Sequence, residues 1–193
     1  MYTLILDTST ELCTVGIAVG SELATQEVFP HKNQLSETLL LTIQAMVEKV
    51  CGSPKNLHII AFGNGPGSYT GTRLGAAVAK TLAFGLEVPI KAFPSPLAFL
   101  PEREGSFAFV VPARSGQLYA LTGAIENGCV VRENAVWVDP EELEDADFLI
   151  CASPEKLPGK TCLSPAPNLN ILSKWLFEKQ PTEQVDLVYL GTP

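Results

Sequence analysis

The pattern that most narrows the possible folds is a repeated order of elements. Three strand-like segments open the chain, TLILD, CTVGIAVG and LATQEVF, and three more open its second half, SFAFVVPA, QLYALTGAI and CVVRENAVWV. The last two are joined at Asn127-Gly128, a pair that suits a two-residue hairpin turn. Each triplet then gives way to alternating helix and strand. After the first come QLSETLLLTIQAMVEKVCG, NLHIIAF, TRLGAAVAKTLAFGL and VPIKAF; after the second come PEELEDA as a short acidic helix, DFLICA, KTCLS and NLNILSKWLFEK. The reading is an internal duplication of a β-meander plus α/β unit with a shorter second copy. PSPLAFLPEREG, with three prolines and a charge cluster, breaks the pattern and places the domain boundary near residue 103, giving domains 1–103 and 104–193.

Both helices of the first half carry more apolar surface than one core contact needs. On the first, spanning 34–51, Leu35, Leu39, Ile43, Met46, Val47 and Val50 share a face, and Gly52 stands where a C-terminal cap belongs. Leu41 and Ala45 fall off that stripe. On the second, spanning 71–86, Gly71, Gly75, Ala79 and Ala83 recur every four residues, a small-residue stripe that lets another helix approach closely.

A chain of 193 residues with 46% hydrophobic content buries a sizeable core and is not a disordered tail. No apolar run reaches the roughly 18 residues of a membrane span, and the N-terminus meets an acid too early for a secretory signal, so a cytoplasmic location is expected. Five cysteines without a CxxC pair read as free thiols, and two distant histidines, His31 and His58, offer no metal clamp. The net charge of −8 excludes the basic footprint that holding nucleic acid alone requires. If the chain serves an RNA reaction, a partner holds the RNA.

The segment GNGPGSYTGTRLG, residues 63–75, has five glycines, a proline and four hydroxyl side chains around Arg73. It lacks the lysine of a Walker A loop, since none occurs between Lys55 and Lys80, and its glycine spacing is not GxGxxG. What remains is a strand, a glycine-rich turn and a helix N-terminus, where Gly65, Gly67, Ser68 and Thr70 suit either an anion contact or a self-capped turn. Arg73 in a first helical turn opposes the helix dipole and needs a carboxylate, a phosphate or a partner. Asp7, the one aspartate before Asp139, is placed either to orient a metal-bound water or to close an Asx-turn with Thr8-Ser9-Thr10. Ser9, Ser36 and Ser68 have no histidine positioned to activate them, and no carboxylate pair suits general acid–base work.

Taken together, LILDTST, GNGPGSYTGTRLGAAVAKTLAFGL, PARSGQLYA and VDLVYL resemble the TsaB (YeaZ) family from residue 1 to about residue 190. The resemblance implies an α/β fold of the actin-like, Hsp70-like ATPase (ASKHA) type with two duplicated halves. It also implies a noncatalytic scaffold in tRNA N6-threonylcarbamoyladenosine formation that binds the catalytic paralogue TsaD and works with the ATPase TsaE. Such a chain touches tRNA only through the complex, pairs with itself when alone, and has no catalytic or metal-binding residue. The two N-terminal-domain helices implied for pairing point to Leu35, Leu39, Leu41, Ala45, Gly75, Ala76, Ala79 and Ala83. No cofactor is required, and ATP or ADP belongs at the interface with TsaD, with Asp7, Gly65, Gly67, Ser68, Thr70 and Arg73 as the candidate contacts. Three departures stand out: Pro112-Ala113-Arg114 replaces the usual Asp-Ala-Arg, Gly191 follows Tyr189-Leu190 where arginine is usual, and Tyr69 replaces a commoner phenylalanine. The rival reading is an active ATPase or sugar kinase of that superfamily, with Asp7 orienting Mg²⁺. A metallopeptidase would need bound metal.

Overall fold

A computed structural model describes residues 1–30, 35–113, 116–143, 146–151, 162–182 and 186–189. The N-terminal half builds a five-stranded sheet in which β1 (Tyr2–Asp7) lies at the centre. It pairs antiparallel with β2 (Leu12–Val19), which pairs antiparallel with β3 (Glu22–Pro30). On its other side β1 runs parallel to β4 (Leu57–Gly63), which runs parallel to β5 (Ile90–Phe93). The order is β3-β2-β1-β4-β5. Being flanked on both sides and covered on both faces explains why β1 is a continuous apolar run, whereas the edge strand β3 is largely exposed.

The second half repeats this plan. Strand β6 (Gly105–Pro112) pairs antiparallel with β7 (Leu118–Glu126), β7 with β8 (Cys129–Val138), and β6 runs parallel to β9 (Phe148–Cys151). Its order, β8-β7-β6-β9, reproduces β3-β2-β1-β4 strand for strand and direction for direction. The copy is shorter, as the sequence suggests: where β5 would have its counterpart, Leu163 forms a single parallel bridge to Ile150. Of the strand expected at KTCLS only Cys162, Leu163 and Ser164 lie within the described residues.

Helices α1 (Leu35–Cys51) and α2 (Tyr69–Leu86) cover the same face of the first sheet. Side-chain alternation shows this directly, because Leu4, Leu6, Cys13, Val15, Ile17, Ile60 and Phe62 all meet Leu39, Ile43, Met46 and Val47 of α1 and Ala76, Ala79 and Ala83 of α2. The opposite face, with Ile5, Ala18 and Ala61, packs with Phe107, Phe109, Tyr119 and Leu121 of the second sheet and with α3 (Asn170–Glu178) through Leu172, Trp175 and Leu176. One apolar core is therefore shared by both halves. Helix α1 ends at Gly52, whose φ of +76° lets its N–H reach the Val47 and Glu48 carbonyls at 3.0 and 3.2 Å.

One sequence expectation of the fold is corrected by the structure. PEELEDA is no helix among its described residues but a turn, closed by Glu142 N–H donating to the Asp139 carbonyl at 2.9 Å; its crowded carboxylates and lone Leu143 supply no apolar face to dock. PSPLAFLPEREG, the segment that breaks the strand and helix pattern, begins as a short 3₁₀ helix, Ser95–Phe99, buried at every residue, and Leu97, Ala98, Phe99 and Leu100 plug the shared core. Its prolines end regular structure without leaving the interior.

Candidate functional site

Asp7 and Gly63 end the adjacent parallel strands β1 and β4, the position where open α/β sheets receive ligands. Asp7 is 2% exposed. Its Oδ1 accepts the Ser9 N–H at 3.0 Å and the Ser9 hydroxyl at 2.7 Å, so the Asx-turn is real. Oδ2 has no hydrogen-bond partner and faces Gly63. Burial pushes the Asp7 carboxyl above the ordinary carboxylate range; the nearby Ser95 hydroxyl, short of hydrogen-bond geometry, and the two Ser9 donors pull the other way. Next door, burial and the Asp7 charge push the Cys13 thiol up to about 12, which makes it an inert packing group.

The glycine loop folds onto this turn. The space a Cβ would need at Gly63 is taken by Asp7 Oδ2, at Gly67 by the Ser9 carbonyl, at Gly75 by the Thr8 hydroxyl and at Gly65 by the Val188 carbonyl. The loop needs glycine because other parts of the chain already lie against its backbone. Four of its backbone donors are also committed: Gly65 N–H to Ser95 Oγ at 3.1 Å, Ser68 N–H to the Ser9 carbonyl at 2.6 Å, Gly71 N–H to Ser68 Oγ at 3.2 Å and Thr72 N–H to the Ser68 carbonyl at 2.8 Å. Thr8 donates its hydroxyl to the Gly71 carbonyl at 2.7 Å. Ser68 is thus the N-cap of α2, while Thr70 is exposed in its first turn. In this conformation protein atoms fill the Cβ sides of Gly63, Gly65 and Gly67. Among the described residues no three His, Cys, Asp or Glu side chains gather as metal ligands.

Arg73 satisfies its charge in a way its neighbours in sequence do not reveal. Its Nε donates to the Tyr189 hydroxyl at 3.0 Å, and its guanidinium lies 4.0 Å from the Tyr69 ring centre and 5.6 Å from that of Tyr189. The hydrogen bond it donates to the Tyr189 hydroxyl and the nearness of both tyrosines hold its pKa above the ordinary arginine value. Arg114 and Gly191 lie outside the described residues, as does His31; Pro112 ends β6.

Of the eight residues assigned to a partner-facing surface, the seven whose side chains are described separate into two groups. Leu39, Gly75, Ala76, Ala79 and Ala83 are buried, which corrects the assignment. The helix-approach stripe is occupied by this chain's own β-sheet and Thr8, since small side chains let α2 sit close to the strands. Leu41 and Ala45 do face outward, with Leu41 59% exposed; the side chain of Leu35 is outside the described residues. The sequence reading missed Leu40, 49% exposed, and Phe84, 87% exposed on α2. A large aromatic opposite a stripe of alanines was the available signal.

Two sheets of matching strand order, with paired helices on the outer face of the first and a third helix in the shared core, define a duplicated α/β chain of the actin-like, Hsp70-like ATPase architecture. The profile of a family described as "TsaD: tRNA N6-adenosine threonylcarbamoyltransferase" matches residues 23–140. Proteins named tRNA threonylcarbamoyladenosine biosynthesis protein TsaB are similar: that of Bacillus subtilis is 34% identical over 135 residues, covering 66% of this chain and 57% of its own, and that of Haemophilus influenzae is 37% identical over 92 residues, covering 45% and 36%. YeaZ from Pseudomonas aeruginosa superposes with a TM-score of 0.77 at 25% identity, over 98% of this chain and 99% of that one. The chain belongs to the TsaB (YeaZ) family. Its matches span between about a third and somewhat over half of the length of those two curated relatives.

Proposed function

We propose that this chain acts in tRNA threonylcarbamoyladenosine biosynthesis as a noncatalytic scaffold, docking TsaD on the outward faces of α1 and α2. Supporting it most directly is the pair of helices over one sheet face, each carrying exposed large apolar side chains on its far side: Leu40 and Leu41 on α1, Phe84 on α2. Exposed apolar groups of this size on neighbouring elements mark a protein-binding surface. The same surface serves self-pairing when TsaD is absent. TsaE acts on the resulting assembly in the cytoplasm, and tRNA is held by the partner because this chain's net charge is −8.

The filled cradle around Gly65 and Gly67 supports assigning ATP or ADP to the interface with TsaD rather than to this subunit alone. It counts against the rival ATPase or kinase reading, which demands ATP turnover by the pure chain that vanishes in Asp7→Asn. The experiment is copurification with TsaD through gel filtration, using native protein, Leu41→Glu and Phe84→Glu. Both variants are expected to elute apart from TsaD with unchanged circular dichroism; normal coelution of both would sink the assignment. Calorimetric titration of ADP with and without TsaD tests the nucleotide assignment, heat from this chain alone being the contrary result.

A further inference from the structure

Helix α2 ends in a turn that its own sequence disfavours. Glu87 closes it in the left-handed region, at φ +56°, with its N–H shared between the Ala83 and Phe84 carbonyls. That position ordinarily takes glycine, and a carboxylate at a helix C-terminus opposes the dipole, so two local preferences are set aside at one residue. Beside the turn lies a surface groove of about 640 Å³, lined among others by Lys80, Ala83, Val88 and Ile90 and by Phe84 at 87% exposure. Phe84 is the most exposed large apolar side chain among the described residues. Gly85, also on the groove, has nothing within 4 Å of where a Cβ would stand, so the surface is open there. The charged residues lining it are Lys80 and Glu87, both exposed, and among the described residues neither makes an ion pair within the chain. Two turns of helix hold them about 10.5 Å apart along the axis, too far to pair with each other.

We propose that the C-terminal part of α2 is a self-recognition surface, on which a second copy of this chain packs antiparallel about a two-fold axis between Ala83 and Phe84. The proposal rests on reading the outward face of α1 and α2 as protein-binding, and it specifies how a copy sits there. The charge spacing carries it. Lys80, Phe84 and Glu87 follow one another at steps of four and three residues, so they share a face. The midpoint between Lys80 and Glu87 falls between Ala83 and Phe84, and antiparallel pairing about that point sets Lys80 of each copy against Glu87 of the other. The same operation brings each Phe84 to the Ala83 side of the other copy, at its groove. A two-fold interface uses one patch twice and needs this kind of self-complementarity. The need is sharper in a chain of net charge −8, which otherwise repels its own copy. Glu87, unfavourable for its own helix, then finds its cation in the second copy.

The test is sedimentation equilibrium of the full chain alone, as native protein, Lys80→Glu, Glu87→Lys, the double variant, and an equimolar mixture of the two single variants. The native chain is expected to dimerise. Each single variant sets like charges opposite one another twice, so its dimer is expected to weaken by about tenfold. The double variant returns to within about threefold of native. So does the mixture, because one single variant carries two anions at these positions and the other two cations, and a two-fold axis matches them. Added salt narrows the gap between native and single variants. Both positions are exposed, so circular dichroism stays unchanged throughout. A native chain that stays monomeric at every concentration, single variants that pair as tightly as native, or a mixture no tighter than its components would overturn the arrangement. Coelution with TsaD is read separately: a chain that binds TsaD without this charge pattern refutes the self-recognition surface alone, and the pattern without TsaD binding refutes the docking alone.

Discussion

Gly63 and Asp7 face one another across the ends of two parallel strands so closely that a methyl group on Gly63 would overlap the Asp7 carboxylate. Absence of a side chain on one strand is what lets a buried carboxylate sit on the other. Gly63→Ala is therefore expected to destabilise the protein by about 2–3 kcal/mol, the usual cost of forcing extra volume into a packed site. Gly85→Ala, on α2 with open space around it, should do the reverse and stabilise by roughly 0.5–1 kcal/mol, because alanine favours helix over glycine. Urea unfolding of both variants separates the two effects; equal responses would refute this account of the loop.

Asp7 carries a second expectation, in pH. Its folded pKa is raised, so the folded state holds the proton over a range where the unfolded state has lost it. Stability linked to this group is then greatest below the unfolded pKa, falls as pH rises through the window up to the folded value, and stays reduced above it. Asp7→Asn removes the penalty while keeping an oxygen for Ser9. Thermal melts should show Asp7→Asn above the native protein at neutral pH, with the gap closing on acidification. A native protein that melts higher at neutral pH would contradict it.

The cap of α2 is a single oxygen. Ser68 Oγ accepts the Gly71 N–H, while the backbone of Ser68 is separately bonded to Ser9. Ser68→Ala is expected to cost about 1 kcal/mol, as for other N-cap removals, and Ser68→Asp should recover most of it. Chemical denaturation measures both, and a neutral Ser68→Ala would mean that the loop, not the cap, starts the helix.

Ala79 and Phe84 lie on opposite sides of one helix and should respond in opposite ways to the same change. Ala79 is 0% exposed against the sheet, so Ala79→Glu buries a charge without a partner and is expected to leave little folded protein. Phe84→Glu, at an 87% exposed position, should alter stability by no more than about 0.5 kcal/mol. Circular dichroism and melting curves decide this before any binding measurement is read.

How much of this was legible along the chain follows the range of the forces involved. The duplicated strand order, the Gly52 cap and the two helices of the first half rest on periodicity and local propensity, which neighbours in sequence express. Even the Asx-turn at Asp7 spans only two residues. The small-residue stripe of α2 was also visible, but not its purpose: periodicity reports that a face is apolar or small, never whether a sheet of the same chain or another protein will cover it.

By itself, then, the sequence determined an α/β chain in two similar halves, a glycine turn leading into a capped helix, and membership in a family by its motifs. Tertiary structure alone decided that the turn is filled by Ser9, Asp7 and Val188, that Ala76, Ala79 and Ala83 face inward while Phe84 faces out, and that Arg73 meets Tyr189, 116 residues away. Each of these depends on which distant backbone arrives at a given side chain. Close packing settles that only when both sheets and the returning C-terminal segment are in place.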